Sequence, residues 1–133
     1  MIELQYRHLN NKKFIDTLVK VSNTPLKGEG MVKEIYNISR MVDKVQQESK
    51  KAYEVWQKTL TGLEFEEVVV EGQPPQKVPK DKFAFTKAEE EFMEISFKIE
   101  RNKIPVSVLE QMEISAQDLL ALEPIVDGLE QFN

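Results

Sequence analysis

Residues 31–61 read MVKEIYNISRMVDKVQQESKKAYEVWQKTLT, and this stretch decides the fold. Mostly apolar residues recur in it at alternating spacings of four and three, and neither glycine nor proline interrupts it. This period predicts one amphipathic helix of about 30 residues, roughly 45 Å long, which ends at Gly62. The positions of the stripe are Met31, Ile35, Ile38, Val42, Val45, Ser49, Ala52, Trp56, Thr59 and Leu63.

A shorter helix is predicted before it. Asn10 and Asn11 offer an N-cap, apolar residues follow at helical spacing, and the chain is stopped after Asn23 by Thr24-Pro25. We expect this helix to fold back along the long one as a helical hairpin, through a loop at residues 25–30. Its ~14 residues reach only about 21 Å, so the second half of the long helix needs other cover.

Two interpretations of that second half stay open. In the first, the sheet or the C-terminal residues cover it, and the apolar side chains there favour this for Trp56. In the second, Tyr53, Trp56 and Leu60 meet another chain, because aromatic residues of this kind are enriched in interface hot spots. The C-terminal residues considered as cover are Leu119, Leu122, Ile125 and Phe132.

The strands are predicted from alternation and from β-branched residues. Residues 2–9 alternate at first, which is typical of a half-buried strand. Thr86 and Glu89 form a capping-box pattern, which predicts a helix from Lys87. Residues 95–101 fit a strand or a continuation of that helix, and the β-branched residues favour the strand.

A long hairpin and a helical C-terminal region complete the predicted fold. Residues 65–71 form a strand, residues 72–81 a mobile loop with three prolines, and residues 82–85 pair back on the strand. Ser107 and Ser115 each precede a Ser-x-x-acid cap of a short helix. The predicted fold is therefore α+β: a long central helix in a helical hairpin, a small antiparallel sheet and short C-terminal helices.

Composition and charge narrow the function classes. The chain has 133 residues, 41% hydrophobic and 31% charged, which fits one globular domain over residues 1–133. It has no cysteine, so disulfide and thiolate chemistry are excluded. The net charge of −5 is spread over interspersed acids and bases, whereas nucleic-acid binders usually carry a basic excess on one face. We expect no nucleic-acid partner.

The sequence also predicts location. No apolar run approaches the ~20 residues that span a bilayer. The first residues lack the basic-then-apolar layout of a signal peptide. The long helix carries charges of both signs, whereas a membrane-surface helix would be basic. We therefore expect a cytoplasmic protein with no membrane partner.

No pattern in the chain indicates an active site. His8 is the sole histidine, and a packed or surface position is expected for it. No Gly-x-Ser-x-Gly motif occurs. The loop Gly28-Glu29-Gly30 precedes a helix as a phosphate cradle would, but Glu29 would repel phosphate and no Lys-Ser/Thr pair follows. We expect a protein that is not an enzyme and needs no cofactor or metal.

One catalytic alternative stays open at the acidic strand. Glu64 and Glu66 share a face of the predicted strand, and so do Glu67 and Glu71. A two-carboxylate Mg²⁺ site there would fit a metal-dependent nuclease or phosphodiesterase. No lysine accompanies these residues as in a nuclease core. A nucleic-acid regulator is the third alternative.

Three segments carry a resemblance to a known group of proteins: ISRMV at residues 38–42, KIPVSVL at 103–109 and ISAQDLLALEP at 114–124. With the helical hairpin, this layout resembles small proteins encoded by tailed bacteriophages and prophages. The resemblance implies a protein of a bacterial host's cytoplasm that acts by binding, in particle assembly or against a host protein. It supplies no functional residues.

Together these observations predict a non-catalytic protein-binding protein. We expect the partner to be a second copy of the chain, a host or phage protein, or both, and we expect a homo-oligomer. The predicted protein-binding residues are Tyr53, Trp56 and Leu60.

Overall fold

The computed structural model of the protein describes residues 1–129. Helices dominate, and short strands pair at three places. The elements in chain order are β1 (Ile2–Gln5), α1 (Tyr6–Leu9), α2 (Lys12–Ser22), α3 (Met31–Thr61), β2 (Phe65–Val68), β3 (Gln76–Pro79), α4 (Lys82–Met93), β4 (Ser96–Ile99), β5 (Ile104–Pro105), α5 (Val106–Leu109), α6 (Ala116–Ala121), a 3-10 turn (Glu123–Ile125) and β6 (Val126–Asp127).

The long helix is confirmed with the predicted bounds. α3 spans 31 residues, and Gly62 follows its last residue. Gly30 precedes α3 with a φ of 81°, a left-handed conformation that glycine adopts without steric cost. α2 begins after Asn11, whose side chain accepts hydrogen bonds from two backbone N–H groups of the first turn, and packs against α3. The predicted α+β class, with its long central helix, is therefore confirmed.

The main core lies between α2, the first half of α3 and the segments after residue 98. Ile38, Met41 and Val45 are its contributions from α3. Burying such side chains against one another is the dominant favourable term in folding. The buried residues of the main core are Ile2, Leu4, Phe14, Leu18, Val21, Ile38, Met41, Val45, Ile99, Ile104, Val106, Val108, Leu109, Met112, Leu122, Ile125 and Val126.

The strands of residues 1–129 form three two-stranded sheets. β1 pairs with β4 in antiparallel register, with Ile2 opposite Ile99 and Leu4 opposite Phe97. β2 pairs with β3 in antiparallel fashion, and β5 with β6 in parallel fashion. Residues 95–101 were predicted as a strand, and β4 confirms this for Ser96–Ile99.

The first strand is shorter than the predicted range of residues 2–9. After Gln5 the chain turns into α1, because the imidazole Nδ1 of His8 accepts the Gln5 backbone N–H at 2.9 Å. This closes a capping box that ends the strand and starts a helical turn. Tyr6 is thereby turned into a buried position.

The predicted hairpin is wrong in its pairing. β2 ends at Val68 instead of residue 71, and its partner is β3, a strand within the range predicted as a loop. β3 ends in Pro79, which a two-stranded sheet tolerates because each strand is an edge. Residues 82–85 belong to α4, not to a strand. The predicted mobility of residues 72–81 stays a prediction.

The start of α4 was also predicted wrongly, at Lys87. The observed N-cap is Asp81, whose carboxylate accepts the Ala84 N–H at 3.0 Å, so Thr86 lies inside the helix. At the C-terminal end the Ser115 capping box is confirmed at the start of α6. The Ser107 cap is wrong, because Ser107 lies within α5 and Pro105 precedes that helix.

Candidate protein-binding groove

Beyond Val45, α3 leaves the main core and meets a second, smaller cluster. Its buried members are Tyr6, Ala52 and Phe92, contributed by α1, α3 and α4. Leu9, Trp56, Met93 and Phe97 pack against them and are half-buried. We call this set of residues the distal cluster. It joins the second half of α3 to α4 and to the start of the chain.

Aromatic contacts connect the distal cluster from end to end. The Tyr6 ring lies 6.1 Å from Phe97 and 5.2 Å from Phe92, between ring centroids. Trp56 lies 5.0 Å from Phe92 and 5.9 Å from Phe85. Tilted and edge-on pairs at such distances are worth about 0.5–1.5 kcal/mol each beyond their buried area. A final pair, Phe85 with Phe65 at 6.3 Å, ties α4 to β2.

These contacts answer how Trp56 is covered. Of the C-terminal residues considered as cover, Leu122 and Ile125 lie in the main core and Leu119 packs against it, so these three do not cover Trp56. Phe132 lies outside the described residues. The observed cover comes from α4, and Trp56 remains half-buried.

The residues of α4 that cover Trp56 were missed at the sequence level. Phe85 and Phe92 are seven residues apart, a spacing that places them on one face of a helix. Reading residues 82–85 as a strand hid that spacing. The usable signal was Asp81 as an N-cap, which would have extended the helix over both phenylalanines.

A groove opens beside Trp56, with a volume of about 210 Å³. Tyr53 and Trp56 line it, so the structure brings together two of the three predicted binding residues. Leu60 is half-buried one turn further along α3 and does not line the groove. We call this the aromatic groove, and its lining residues are Tyr6, Leu9, Asn10, Ser49, Ala52, Tyr53, Trp56 and Phe92.

The aromatic groove combines a hollow with a projecting side chain. Ser49 and Ala52 are small, so α3 leaves space at this level. Tyr53 stands beside that space and is 65% exposed, although its ring is largely apolar. An exposed tyrosine at the rim of an apolar hollow is typical of surfaces that bind protein, because the ring adds area at little entropic cost.

A buried glutamate of α3 acts electrostatically on Tyr6, a residue that lines the groove. Glu48 lies in α3 and is buried, and its Oε1 lies 3.1 Å from Lys44 Nζ and 3.5 Å from Lys51 Nζ. Burial, and then the charge of Glu48, raise the pKa of the Tyr6 hydroxyl. A tyrosine is already neutral at physiological pH, and both effects act in the same direction, so Tyr6 adds no charge to the groove lining.

The single histidine is placed as a structural residue. The ring of His8 is half-buried, lies 6.1 Å from Phe14 and accepts the Gln5 N–H. Burial lowers its pKa, so the neutral form that accepts this bond is favoured. The structure thus gives His8 a capping role.

The four glutamates of the nuclease alternative, Glu64, Glu66, Glu67 and Glu71, are all exposed in and around β2. Glu66 and Glu67 are exposed on β2, and Glu71 lies in the turn after it, off the strand. Within residues 1–129 no group of three or more carboxylate or histidine side chains could hold a metal ion. We carry the metal-dependent alternative no further, since no observation favours it.

Comparison with protein-family models, curated proteins and solved structures returned no match for the chain. Over the described residues, no helix is both long enough and apolar enough to cross a membrane.

Proposed function

We propose that this chain is a non-catalytic protein-binding protein whose binding surface is the aromatic groove. The observation that supports this proposal is the 65% exposed Tyr53 at the rim of a hollow floored by Ser49 and Ala52. Removing the exposed apolar area of the Tyr53 ring from water would stabilise a complex by roughly 25 cal/mol per Å². Trp56, half-buried beside it, would complete the contact.

The first partner we propose is a second copy of the chain. A two-fold interface brings the same patch of each copy together, so it needs a projection and a hollow on one surface. Tyr53 is the projection, and the space above Ser49 and Ala52 is the hollow, one turn back on the same helix. Two α3 helices crossing here would place each Tyr53 over the small residues of the other copy.

A further residue of α3, Leu60, would enlarge this contact. Leu60 continues the line of Tyr53 after seven residues, and this spacing keeps the two on one face of α3. A host or phage protein is the other partner class, and the setting in particle assembly or host binding rests on the resemblance described above. In either setting the chain would act by binding and not by catalysis.

Sedimentation velocity of the full chain from 1 to several hundred micromolar tests this proposal. We expect a mass above the 15.4 kDa of one chain, rising with concentration. Tyr53→Ser should weaken the association about tenfold or more, as for an interface hot spot. Tyr36→Ser is the matched control, because Tyr36 is a 59% exposed tyrosine near the other end of the same helix.

Three results of the sedimentation experiment can be distinguished. A single species of 15.4 kDa at all concentrations would remove the second copy as partner. Equal weakening by both tyrosine variants, or weakening by Tyr36→Ser alone, would move the contact away from the aromatic groove. Self-association lost only with Tyr53→Ser supports the proposal.

A further inference from the structure

A second recess lies at the opposite end of α3. It is a cleft of about 740 Å³ between the first turns of α3 and the segment that links β4 to β5. Arg101 and Lys103 line it from that segment, and Lys33 lines it from α3. About 24 Å of helix separate Asn37 in this cleft from Tyr53 in the aromatic groove, at 1.5 Å per residue. The two recesses are therefore independent.

Arg101 is held in one orientation at the centre of this cleft. Its Nε donates to the Asn37 side-chain oxygen at 3.1 Å, and its guanidinium lies 5.2 Å from the centroid of the Tyr36 ring. Asn37 in turn donates to the Asn102 carbonyl oxygen at 3.0 Å. Within residues 1–129 neither terminal nitrogen of Arg101 is engaged in a hydrogen bond or ion pair. These nitrogens form the fork that binds a carboxylate or phosphate in two parallel bonds.

Further cations flank Arg101 on both sides. Lys33, Arg40 and Lys44 follow one another at spacings of seven and four, which places them on one face of α3. Arg40 and Lys44 line an adjoining recess of about 350 Å³, which meets the main cleft at Arg101. The walls of the two recesses carry six basic side chains, Lys33, Arg40, Lys44, Lys98, Arg101 and Lys103, and three acidic ones, Glu34, Glu100 and Asp127. Two of the six are already paired with acids outside the walls, Arg40 with Asp43 at 3.6 Å and Lys44 with Glu48 at 3.1 Å.

This local excess of positive charge contrasts with the whole chain, whose net charge is −5. The row from Lys33 to Lys44 is about 16 Å long, at 1.5 Å per residue. That length exceeds one phosphate or carboxylate group. It matches about five residues of an extended peptide, at roughly 3.3 Å per residue.

The lining favours a peptide over a nucleic acid. A single-stranded nucleic acid needs aromatic faces on which its bases stack. Among the described residues that line the cleft, Tyr36 is the one aromatic residue, and Arg101 lies against one face of its ring. Glu34 and Asp127 can accept the backbone N–H groups of a peptide, donors that a phosphate backbone lacks.

We propose that this cleft binds an extended, acidic segment of a partner protein. The fork of Arg101 takes one carboxylate of that segment in a bidentate pair. Lys33 and Lys103 take neighbouring carboxylates on either side. The site is separate from the aromatic groove, so each can be tested without the other.

Isothermal titration with two probes tests the proposal. One probe is a blocked eight-residue peptide of alternating glutamate and serine, and the other is an eight-nucleotide thymidine oligomer. We expect the peptide to bind and its affinity to fall with added salt, because charge pairs are screened. Arg101→Lys should weaken binding about tenfold, since a charge-assisted pair loses its planar fork. Arg7→Lys, at an exposed arginine of α1, is the control and should leave binding unchanged.

A second variant guards against a folding defect in Arg101→Lys. Lys103 is exposed, so Lys103→Gln removes a charge without disturbing the contacts of Arg101 with Tyr36 and Asn37. It should weaken the peptide several-fold. Absence of peptide binding at millimolar concentration would overturn the proposal. So would tighter binding of the oligomer than of the peptide, or equal peptide binding by the wild type and Lys103→Gln.

Discussion

The two halves of α3 are held in different ways. In the first half, Ile38, Met41 and Val45 enter the main core, which has members from β1, α2, β4, β5, α5, the 3-10 turn and β6. In the second half, Ala52 is the one α3 residue buried among the described side chains beyond Glu48, and half-buried aromatic rings replace aliphatic packing. The first half thus resembles a domain interior, and the second half resembles a surface.

This difference indicates that the first half of α3 serves the folding of the chain, whereas the second half offers a surface for binding. Apolar side chains that fold the chain are fully removed from water, as in the main core. The part of the molecule around the second half of α3, β2 and α4 leaves several apolar side chains exposed to water. They include Tyr53 on α3, Val69 after β2 and Phe83 on α4. A region with little internal cover and exposed apolar side chains is where a partner can add stability.

The largest expected effect comes from breaking the main core. Met41 is fully buried, so Met41→Ala should lower the free energy of unfolding by about 2–5 kcal/mol, through lost transfer energy and a cavity. Urea denaturation at several protein concentrations measures it, and the loss should be independent of concentration. Val32→Ala, at an 80% exposed position of α3, should change stability by less than about 0.5 kcal/mol. Equal losses in the two variants would contradict the division drawn here.

A smaller effect is expected at the distal cluster. Trp56 is half-buried, so Trp56→Ala should cost about half of the 3–5 kcal/mol typical of a buried tryptophan. A double-mutant cycle with Phe92→Ala should give a coupling of about 0.5–1.5 kcal/mol for the ring pair. Thermal melts at low concentration isolate this fold contribution from association. A coupling of zero would mean that α4 does not cover Trp56.

A pH-dependent effect sharpens the account of the main core. Asp118 caps α6 and contacts two lysines of α2, with its Oδ1 2.8 Å from Lys13 Nζ. The hydrogen bond from Lys13 is the largest of the causes that lower the Asp118 pKa to about 2. A carboxylate with a lowered pKa stabilises the fold above its unfolded pKa of about 3.9, and this contribution is lost as the pH falls towards 2. Asp118→Asn should therefore lower the melting temperature at pH 7, and the difference from the wild type should shrink between pH 4 and pH 2.

The control for this experiment is Asp16→Asn, because Asp16 is an exposed aspartate of α2. It should leave the melting curve close to that of the wild type from pH 7 to pH 2. A constant difference between Asp118→Asn and the wild type from pH 7 to pH 2 would show that the two lysines do not stabilise the ionised carboxylate.

The smallest effect on the main core is expected from proteolytic cleavage of the hairpin that β2 and β3 form. Lys77 and Lys80 lie in or beside β3, and residues 72–81 contain three prolines and few buried side chains. Limited trypsin digestion should cut first in this segment, and the nicked protein should keep a melting transition close to that of the intact chain. First cleavage within α3 would contradict the assignment.

Periodic features of the fold could be predicted from the sequence. The spacing of apolar residues fixed α3 to within a residue, and the Ser115 capping box marked the start of α6. These are local signals that act over one or two turns, so the sequence carries them directly. Residues 82–85 show where such signals fail, because two competing caps, Asp81 and Thr86, stand five residues apart.

The candidate sites could be predicted only in part. Trp56 was found because it lies in the α3 stripe, and Tyr53 because it borders the stripe beside Ala52, but their neighbours Tyr6 and Phe92 come from distant segments. Arg101 and Asn37 are 64 residues apart, and no local pattern joins them. Contacts of this kind follow from the three-dimensional packing, which a single sequence does not reveal.

Trp56 is the only tryptophan of the chain, so tryptophan fluorescence reports on its surroundings, which include the aromatic groove and Phe85. The most direct test of the proposed function is its emission spectrum, recorded from 1 to several hundred micromolar protein alongside the molecular mass. The proposal predicts a shift of the emission to shorter wavelength over the concentrations at which the mass rises, because a second copy removes water from the groove. A constant spectrum, whether the mass stays at 15.4 kDa or rises, would contradict binding at this groove.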